Sequence, residues 1–113
     1  MSDSATVLDR HQLRDITLDD DGLMREILSA LIDDTSRQIG LLDAAIRRKD
    51  AQATRRLAHY SKGACANVGA RAAAAALESI ERTAARSDFE ECGASLGRLA
   101  FKIDQLRSKA FPA

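Results

Sequence analysis

The chain has 113 residues, of which 45% are apolar and 4% aromatic, and its 17 basic residues balance its 17 acidic ones. This length suits one domain with a modest core. A formal net charge of zero argues against a nucleic-acid binder, whose affinity would come mainly from phosphate neutralisation, and scarce aromatic residues disfavour base stacking. We therefore expect a single domain over residues 1–113 that binds no nucleic acid.

The sequence carries no signal that would direct it into or across a membrane. No stretch approaches the roughly 20 apolar residues that span a bilayer, and residues 1–6 lack the basic and apolar regions of a secretion signal. Cys65 and Cys92 fall on apolar helical stripes, which is typical of small core residues in a reducing compartment. We expect a cytoplasmic protein with no membrane association and no disulfide.

A single proline and six glycines leave little room for turns, so the sequence predicts long helices. Residues 1–6 are polar and expected to be loose, and a short helix over residues 7–16 is expected to cover one end of the fold. The acidic triplet 19–21 suits a helix N-terminus, where carboxylates cap free amides, and it lacks the pattern of a calcium loop. The helix that follows, over residues 20–48, has apolar residues at steps of three and four. Gly40 inside it suggests a close helix contact.

Three further helices follow at short intervals. Asp50 is a candidate cap for a helix that ends at Gly69, and an alanine-rich helix covers residues 70–86. Ser87 or Asp88 caps a last helix, after which residues 109–113 are expected to be loose. Its apolar residues, at steps of three and four, are Phe89, Cys92, Leu96, Leu99, Ile103 and Leu106. Short turns force antiparallel packing, so we predict an all-α, up-down-up-down antiparallel four-helix bundle with a short extra N-terminal helix.

The helix over residues 50–69 displays His59 on the face opposite its apolar stripe. At about 100° per residue, the core-facing positions are Leu57, Ser61, Ala64 and Val68, with Thr54, Ala58 and Cys65 at the margin. The residues that share the face of His59 are Gln52, Arg55, Arg56, Lys62, Gly63 and Ala66. Gly63 costs this helix roughly 1 kcal/mol relative to alanine, which suggests that another molecule must come close to the exposed imidazole.

The run His59-Tyr60-Ser61-Lys62-Gly63, with Leu57-Ala58 before it and Asn67-Val68-Gly69-Ala70 after it, resembles the signature of histidine-containing phosphotransfer (HPt) domains. These domains are four-helix-bundle carriers of phosphorelays, and the resemblance extends from about Leu8 to about Lys109. It implies that His59 accepts a phosphoryl group from a receiver-domain aspartate and passes it to another receiver. Ser61 departs from the family, which usually has a large apolar residue there, and we expect Tyr60 or a neighbour to fill the space.

The resemblance also implies roles for the residues around His59. Lys62 would stabilise the transferred phosphoryl group. The receiver docking face would consist of Gly63, Arg55, Arg56, Gln52 and Ala66. The sequence has no nucleotide-binding loop, so we expect a phosphoryl carrier without autonomous kinase activity and not an enzyme. We expect a monomer with no metal or cofactor of its own, whose partners are response-regulator receiver domains, including those of hybrid sensor kinases, that hold the Mg²⁺.

Three other functions compete with this interpretation. The dimerisation helices of a sensor kinase also display a histidine, but an acidic residue typically follows it, and here the next residue is Tyr60. An enzyme with His59 as general base would need a carboxylate that orients the ring, and the sequence indicates none. A non-catalytic helical adaptor or scaffold bundle with an idle histidine is the third alternative. His11 lies outside any motif and is expected to be a solvated surface group.

Overall fold

The computed structural model describes residues 6–111, and they form a bundle of helices without a strand. The helices are α1 (Arg10–Thr17), α2 (Asp21–Arg47), α3 (Ala51–Val68), α4 (Arg71–Ala85) and α5 (Phe89–Ala110). The four long helices pack in a closed ring, in which α3 contacts α2 and α4, and α5 contacts α4 and α2. The predicted all-α bundle with an extra N-terminal helix is confirmed.

Aspartates set the starts of four of the five helices. The side chains of Asp9, Asp20, Asp50 and Asp88 each accept a hydrogen bond from the backbone amide three residues further on. The cap at Asp9 explains why α1 begins at Arg10 and not at residue 7. At the other end of the chain, α5 continues through Ala110, so the expectation of a loose tail is wrong for residues 109 and 110.

Helix α1 covers the end of the bundle where α3 stops, as predicted. Gln12 Nε2 donates to the carbonyl oxygens of Ala66 at 2.7 Å and Asn67 at 3.1 Å, so it satisfies acceptors that the helix end leaves free. The backbone amide of Asp9 donates to the Gly69 carbonyl at 2.8 Å, and Gly69 itself has a φ of 95°. Thr6, the first described residue, accepts from the Ala72 amide, whereas the expected looseness of residues 1–5 lies outside the described residues.

The core is built from aliphatic side chains of the four long helices, among which Leu42, Leu77, Ile80 and Leu99 are fully buried. Cys65 and Cys92 are also buried and unpaired with each other, as the sequence predicted. Burial raises the pKa of the Cys65 thiol to about 11, so this group is a packed neutral side chain at ordinary pH. None of the described helices is long and apolar enough to cross a lipid bilayer.

The buried stripe of α3 is turned relative to the predicted one. The residues predicted at its margin, Thr54, Ala58 and Cys65, are fully buried, whereas the predicted centre residues Leu57 and Val68 are only half-buried. The reason is the extensive packing of α3 against α4, whose small alanine side chains let the two helices approach closely. The turn brings the face that carries His59 nearer to α4.

Two further expectations about packing are corrected by the structure. Of the two candidates to fill the space beside the small Ser61, Tyr60 is excluded, because the residue is 57% exposed and its hydroxyl donates to Asp34 Oδ2 at 3.2 Å. Gly40 does not mark a close helix contact, since a Cβ built there would meet no atom within 4 Å. Ser61 itself is buried, as the sequence placed it.

Candidate functional site

His59 lies in the middle of α3 and projects from the outer surface of the bundle, with its side chain 71% exposed. The core holds the opposite side of the helix in place, through the fully buried Ala58 and Cys65. The imidazole is therefore presented on a rigid helix and remains open to a second molecule.

Glu81, which α4 contributes, orients the His59 ring. Its Oε2 lies 3.0 Å from His59 Nδ1, within hydrogen-bonding distance. The expectation that no carboxylate orients this histidine is therefore wrong. The two residues are 22 positions apart, and only the register of α4 against α3 brings them together. In the sequence, the one indication of this contact is that Glu78 and Glu81 are acidic residues one turn apart on an alanine-rich helix.

Lys62 shares the same carboxylate, with its Nζ 2.8 Å from Glu81 Oε1. The Lys62 ammonium, and after it the His59 ring, lowers the pKa of Glu81 against the opposing effect of partial burial. In return, the hydrogen bond to Glu81 raises the pKa of Lys62. Glu81 is thus an anion, and Lys62 a cation, throughout the neutral pH range.

The position of Glu81 decides which ring nitrogen of His59 is available for reaction. A neutral imidazole has one protonated nitrogen and one with a free lone pair, and a carboxylate next to Nδ1 holds the proton there. Nε2 then carries the lone pair and faces away from Glu81. The arrangement presents an oriented nitrogen nucleophile to solvent, with the Lys62 ammonium one helical turn away.

The other predicted site residues surround His59 on the exposed face of α3. Gln52, Arg55, Arg56, Gly63 and Ala66 are all solvent-accessible, and within residues 6–111 neither arginine takes part in an ion pair. A Cβ added at Gly63 would meet nothing within 4 Å, so the space beside His59 is open. Across the described part of the chain, no three His, Cys, Asp or Glu side chains come together as a metal-ligand set.

Comparisons with known proteins agree with this geometry. The model of the Hpt domain family matches residues 26–109. A histidine-containing phosphotransfer protein, HptB, from Pseudomonas aeruginosa PAO1 is 26% identical and superposes with a TM-score of 0.85 over 95% of this chain and 93% of its own. A rice protein provisionally described as a histidine-containing phosphotransfer protein is 20% identical, with a TM-score of 0.84 over 95% of this chain and 79% of its own, and supports the fold alone.

No curated protein sequence matches the chain at a significant level. The family match nevertheless covers α3, with His59, Lys62 and Gly63, together with α4, α5 and most of α2. The chain therefore belongs to the Hpt domain family and is a histidine phosphotransfer protein of phosphorelay signalling.

Proposed function

We propose that His59 is the residue through which this chain carries a phosphoryl group between receiver domains. The observation that supports the proposal most strongly is the contact of His59 Nδ1 with Glu81, which leaves Nε2 free on an exposed surface. An adaptor with an idle histidine would not need Glu81 against the imidazole ring, Lys62 on the same carboxylate, or the open space at Gly63.

The transfer needs one nucleophile and stabilisation of charge. His59 Nε2 attacks the phosphorus of a partner's aspartyl phosphate, a P–N bond forms, the P–O bond to the acyl oxygen breaks, and the partner recovers a free carboxylate. The ring acquires positive charge as the bond forms, and Glu81 stabilises it through the proton on Nδ1. Discharge to a second receiver is the same step in reverse.

Lys62 supplies the nearest positive charge for the phosphoryl oxygens. Its Nζ is held one turn from His59 by Glu81 and can reach a group on Nε2 by rotation about its side-chain bonds. Arg55 and Arg56 add positive potential at the same surface. In this proposal the receiver brings the Mg²⁺, and the chain acts as a cytoplasmic, monomeric carrier without kinase activity of its own.

The test is phosphotransfer from receiver domains of the same genome that have been charged with acetyl phosphate. Wild-type protein should acquire a label that is labile to acid and stable to base, and His59→Gln should fold but acquire none. His11→Gln is the matched control, because His11 is likewise exposed and contacts a carboxylate, that of Asp15, at 3.6 Å. Label that persists in His59→Gln, or is lost in His11→Gln, would refute the site. Failure of every receiver to label the wild type would favour the adaptor alternative.

A further inference from the structure

Helix α4 makes polar contacts with both of its neighbours, on opposite sides of the helix. Towards α3, Glu81 contacts His59 and Lys62. Towards α5, Ser79 Oγ lies 2.9 Å from Ser95 Oγ. Ser79 comes two positions before Glu81, and two positions correspond to about 200° around a helix, so the two side chains leave α4 in nearly opposite directions. The helix is thus held between the two contacts.

The hydroxyl of Ser95 is bound from two sides. Ser95 is fully buried, and Arg98 Nη2 donates to its Oγ at 2.7 Å and to Glu91 Oε2 at 3.3 Å. Because Ser95 Oγ accepts from Arg98, its own proton is available to Ser79 Oγ. Burial of a hydroxyl is unfavourable without such partners, so a movement of α4 that separates the two serines costs free energy.

A second polar contact lies one turn further along α4 on the same side. Thr83 Oγ1 is 3.2 Å from Cys92 Sγ, and both residues are buried. We call Ser79, Thr83, Cys92 and Ser95 the α4–α5 polar seam. Thr83 follows Glu81 by two positions, as Ser79 precedes it by two. Both residues that α4 contributes to the seam therefore lie nearly opposite the carboxylate that contacts the imidazole ring.

Apolar packing alone leaves α4 some freedom to rotate about its axis. Apart from Leu77 and Ile80, the apolar residues that α4 buries are alanines, and methyl groups interlock with a neighbouring helix less deeply than large side chains do. A side-chain atom about 6 Å from the helix axis moves by about 1 Å when the helix turns by about 10°. Hydrogen bonds of good geometry vary in length by only about 0.5 Å, so a small rotation would separate Glu81 from His59.

We propose that Ser79 and Ser95 are positioning residues for phosphotransfer. Their hydrogen bond fixes the rotation of α4 and so holds Glu81 against His59 Nδ1. For the rate of transfer, the inference rests on the proposed function of His59. For the orientation of the imidazole ring it does not, because Glu81 contacts Nδ1 in the chain by itself. The two consequences can therefore be measured separately.

The first measurement is the tautomer of His59 in the unphosphorylated protein, from ¹⁵N–¹H correlation spectra at a pH at which the ring is neutral. Ser79→Ala should lower the ratio of the Nδ1–H to the Nε2–H tautomer about threefold or more, through the lost hydrogen bond. Ser79 is half-buried and alanine favours a helix, so the variant should fold. Ser79→Thr keeps the hydroxyl and should retain the wild-type ratio.

Thr17→Ala is the control for a general loss of stability. Thr17 is buried, but its hydroxyl donates within α1, to the Leu13 carbonyl oxygen at 2.8 Å. This variant should lower the melting temperature and leave the tautomer ratio of His59 unchanged.

The second measurement is the single-turnover rate of transfer at a saturating concentration of phosphorylated receiver. Ser79→Ala should lower this rate about threefold when Glu81 is present. In a Glu81→Ala background it should change nothing, because no carboxylate remains to be positioned. A merely structural role of the serine would lower the rate equally in both backgrounds.

Two results would refute the positioning role although phosphotransfer by His59 stands. The first is a wild-type tautomer ratio together with a wild-type rate in Ser79→Ala, and the second is an equal loss of rate with and without Glu81. Failure of every receiver to label the wild type would instead refute the proposed function. The positioning of the ring would then stand or fall on the tautomer ratios of Ser79→Ala and Ser79→Thr alone.

Discussion

Glu81 is the residue on which the reactivity of His59 depends most directly. It holds His59 Nδ1 at 3.0 Å with one oxygen and Lys62 Nζ at 2.8 Å with the other. The same carboxylate therefore fixes the ring, supports positive charge on it, and keeps the lysine within reach. A neutral amide in its place would retain the hydrogen-bond acceptor and lose the charge.

Glu81→Gln should slow phosphotransfer to and from His59 by about tenfold. Hydrogen bonds to a charged group contribute roughly 1–1.5 kcal/mol more than neutral ones, and this loss falls on the transition state, in which the ring is positive. The measurement is the single-turnover rate of transfer at saturating receiver, which separates chemistry from docking.

Glu78→Gln is the control for that variant. It removes the same charge from the same helix one turn earlier, and Glu78 makes no hydrogen bond to His59 among the described residues. Its transfer rate should stay near that of the wild type. Equal rates in Glu81→Gln and Glu78→Gln would show that Glu81 supplies only part of the general electrostatic field.

The ionisation of Glu81 gives a second prediction at the residue scale. The hydrogen bond with Lys62 lowers the pKa of Glu81 from its ordinary value of 4.5. The charged carboxylate therefore stabilises the folded chain at pH values above 4.5. The contribution is lost as the pH falls through the lower pKa of the folded state. A carbon NMR titration of the Glu81 carboxyl should have its midpoint below 4.5, and Lys62→Met should move the midpoint upward. An unchanged midpoint in Lys62→Met would mean that the pair does not persist in solution.

At the scale of the helix, the glycine inside α3 and the glycine that caps its end have different roles. Gly63 sits in open helix, where an added Cβ meets nothing within 4 Å. Gly69 ends the helix with a φ of +95°, and a Cβ there would lie 2.8 Å from the Asp9 carbonyl oxygen. The first glycine leaves room beside His59, whereas the second allows α3 to stop and α1 to dock.

Alanine substitutions at these positions should therefore change stability in opposite directions. Gly63→Ala should stabilise the fold by up to about 1 kcal/mol, because alanine favours a helix. Gly69→Ala should destabilise it by about 1 kcal/mol or more, through backbone strain and the clash with Asp9. Denaturant unfolding of both variants measures the pair. A destabilised Gly63→Ala would show that Gly63 packs against another element.

Sequence periodicity predicts what lies within one helix and not what lies between two. His59, Lys62 and Gly63 are separated by fixed steps on α3, so their shared face follows from the helical repeat alone. Glu81 joins them only through the register of α4 against α3, which is set by packing between the two helices and not by the repeat within either one. The same limit explains the turned core stripe of α3, since the stripe follows its packing partner.

At the scale of the whole molecule, the bundle follows from long apolar repeats and short turns, which leave few alternatives to antiparallel packing. The exposed apolar surface does not follow from these features. The exposure of Leu41, at 52%, and of Tyr60, at 57%, depends on how α2 packs against α3, which the helical repeat does not specify.

Ser61 offers a test of how well the core is packed. Its hydroxyl is buried without a hydrogen-bond partner among the described residues. Burial of an unpartnered hydroxyl is unfavourable, so Ser61→Ala should raise the free energy of unfolding by about 1 kcal/mol without change in phosphotransfer. Thermal unfolding monitored by circular dichroism measures the shift. A lower melting temperature would indicate that the hydroxyl bonds to a backbone carbonyl of its own helix in solution.

In the proposed function, His59 Nε2 carries the phosphoryl group while Glu81 holds the proton on Nδ1. The most direct measurement is NMR of the receiver-phosphorylated protein with ¹⁵N-labelled histidine, in which nitrogen–phosphorus coupling identifies the bonded atom. We expect coupling to Nε2 of His59 and a proton retained on Nδ1, with His11 unmodified. Phosphorus bonded to Nδ1 of His59, to His11, or to no histidine at all would contradict it.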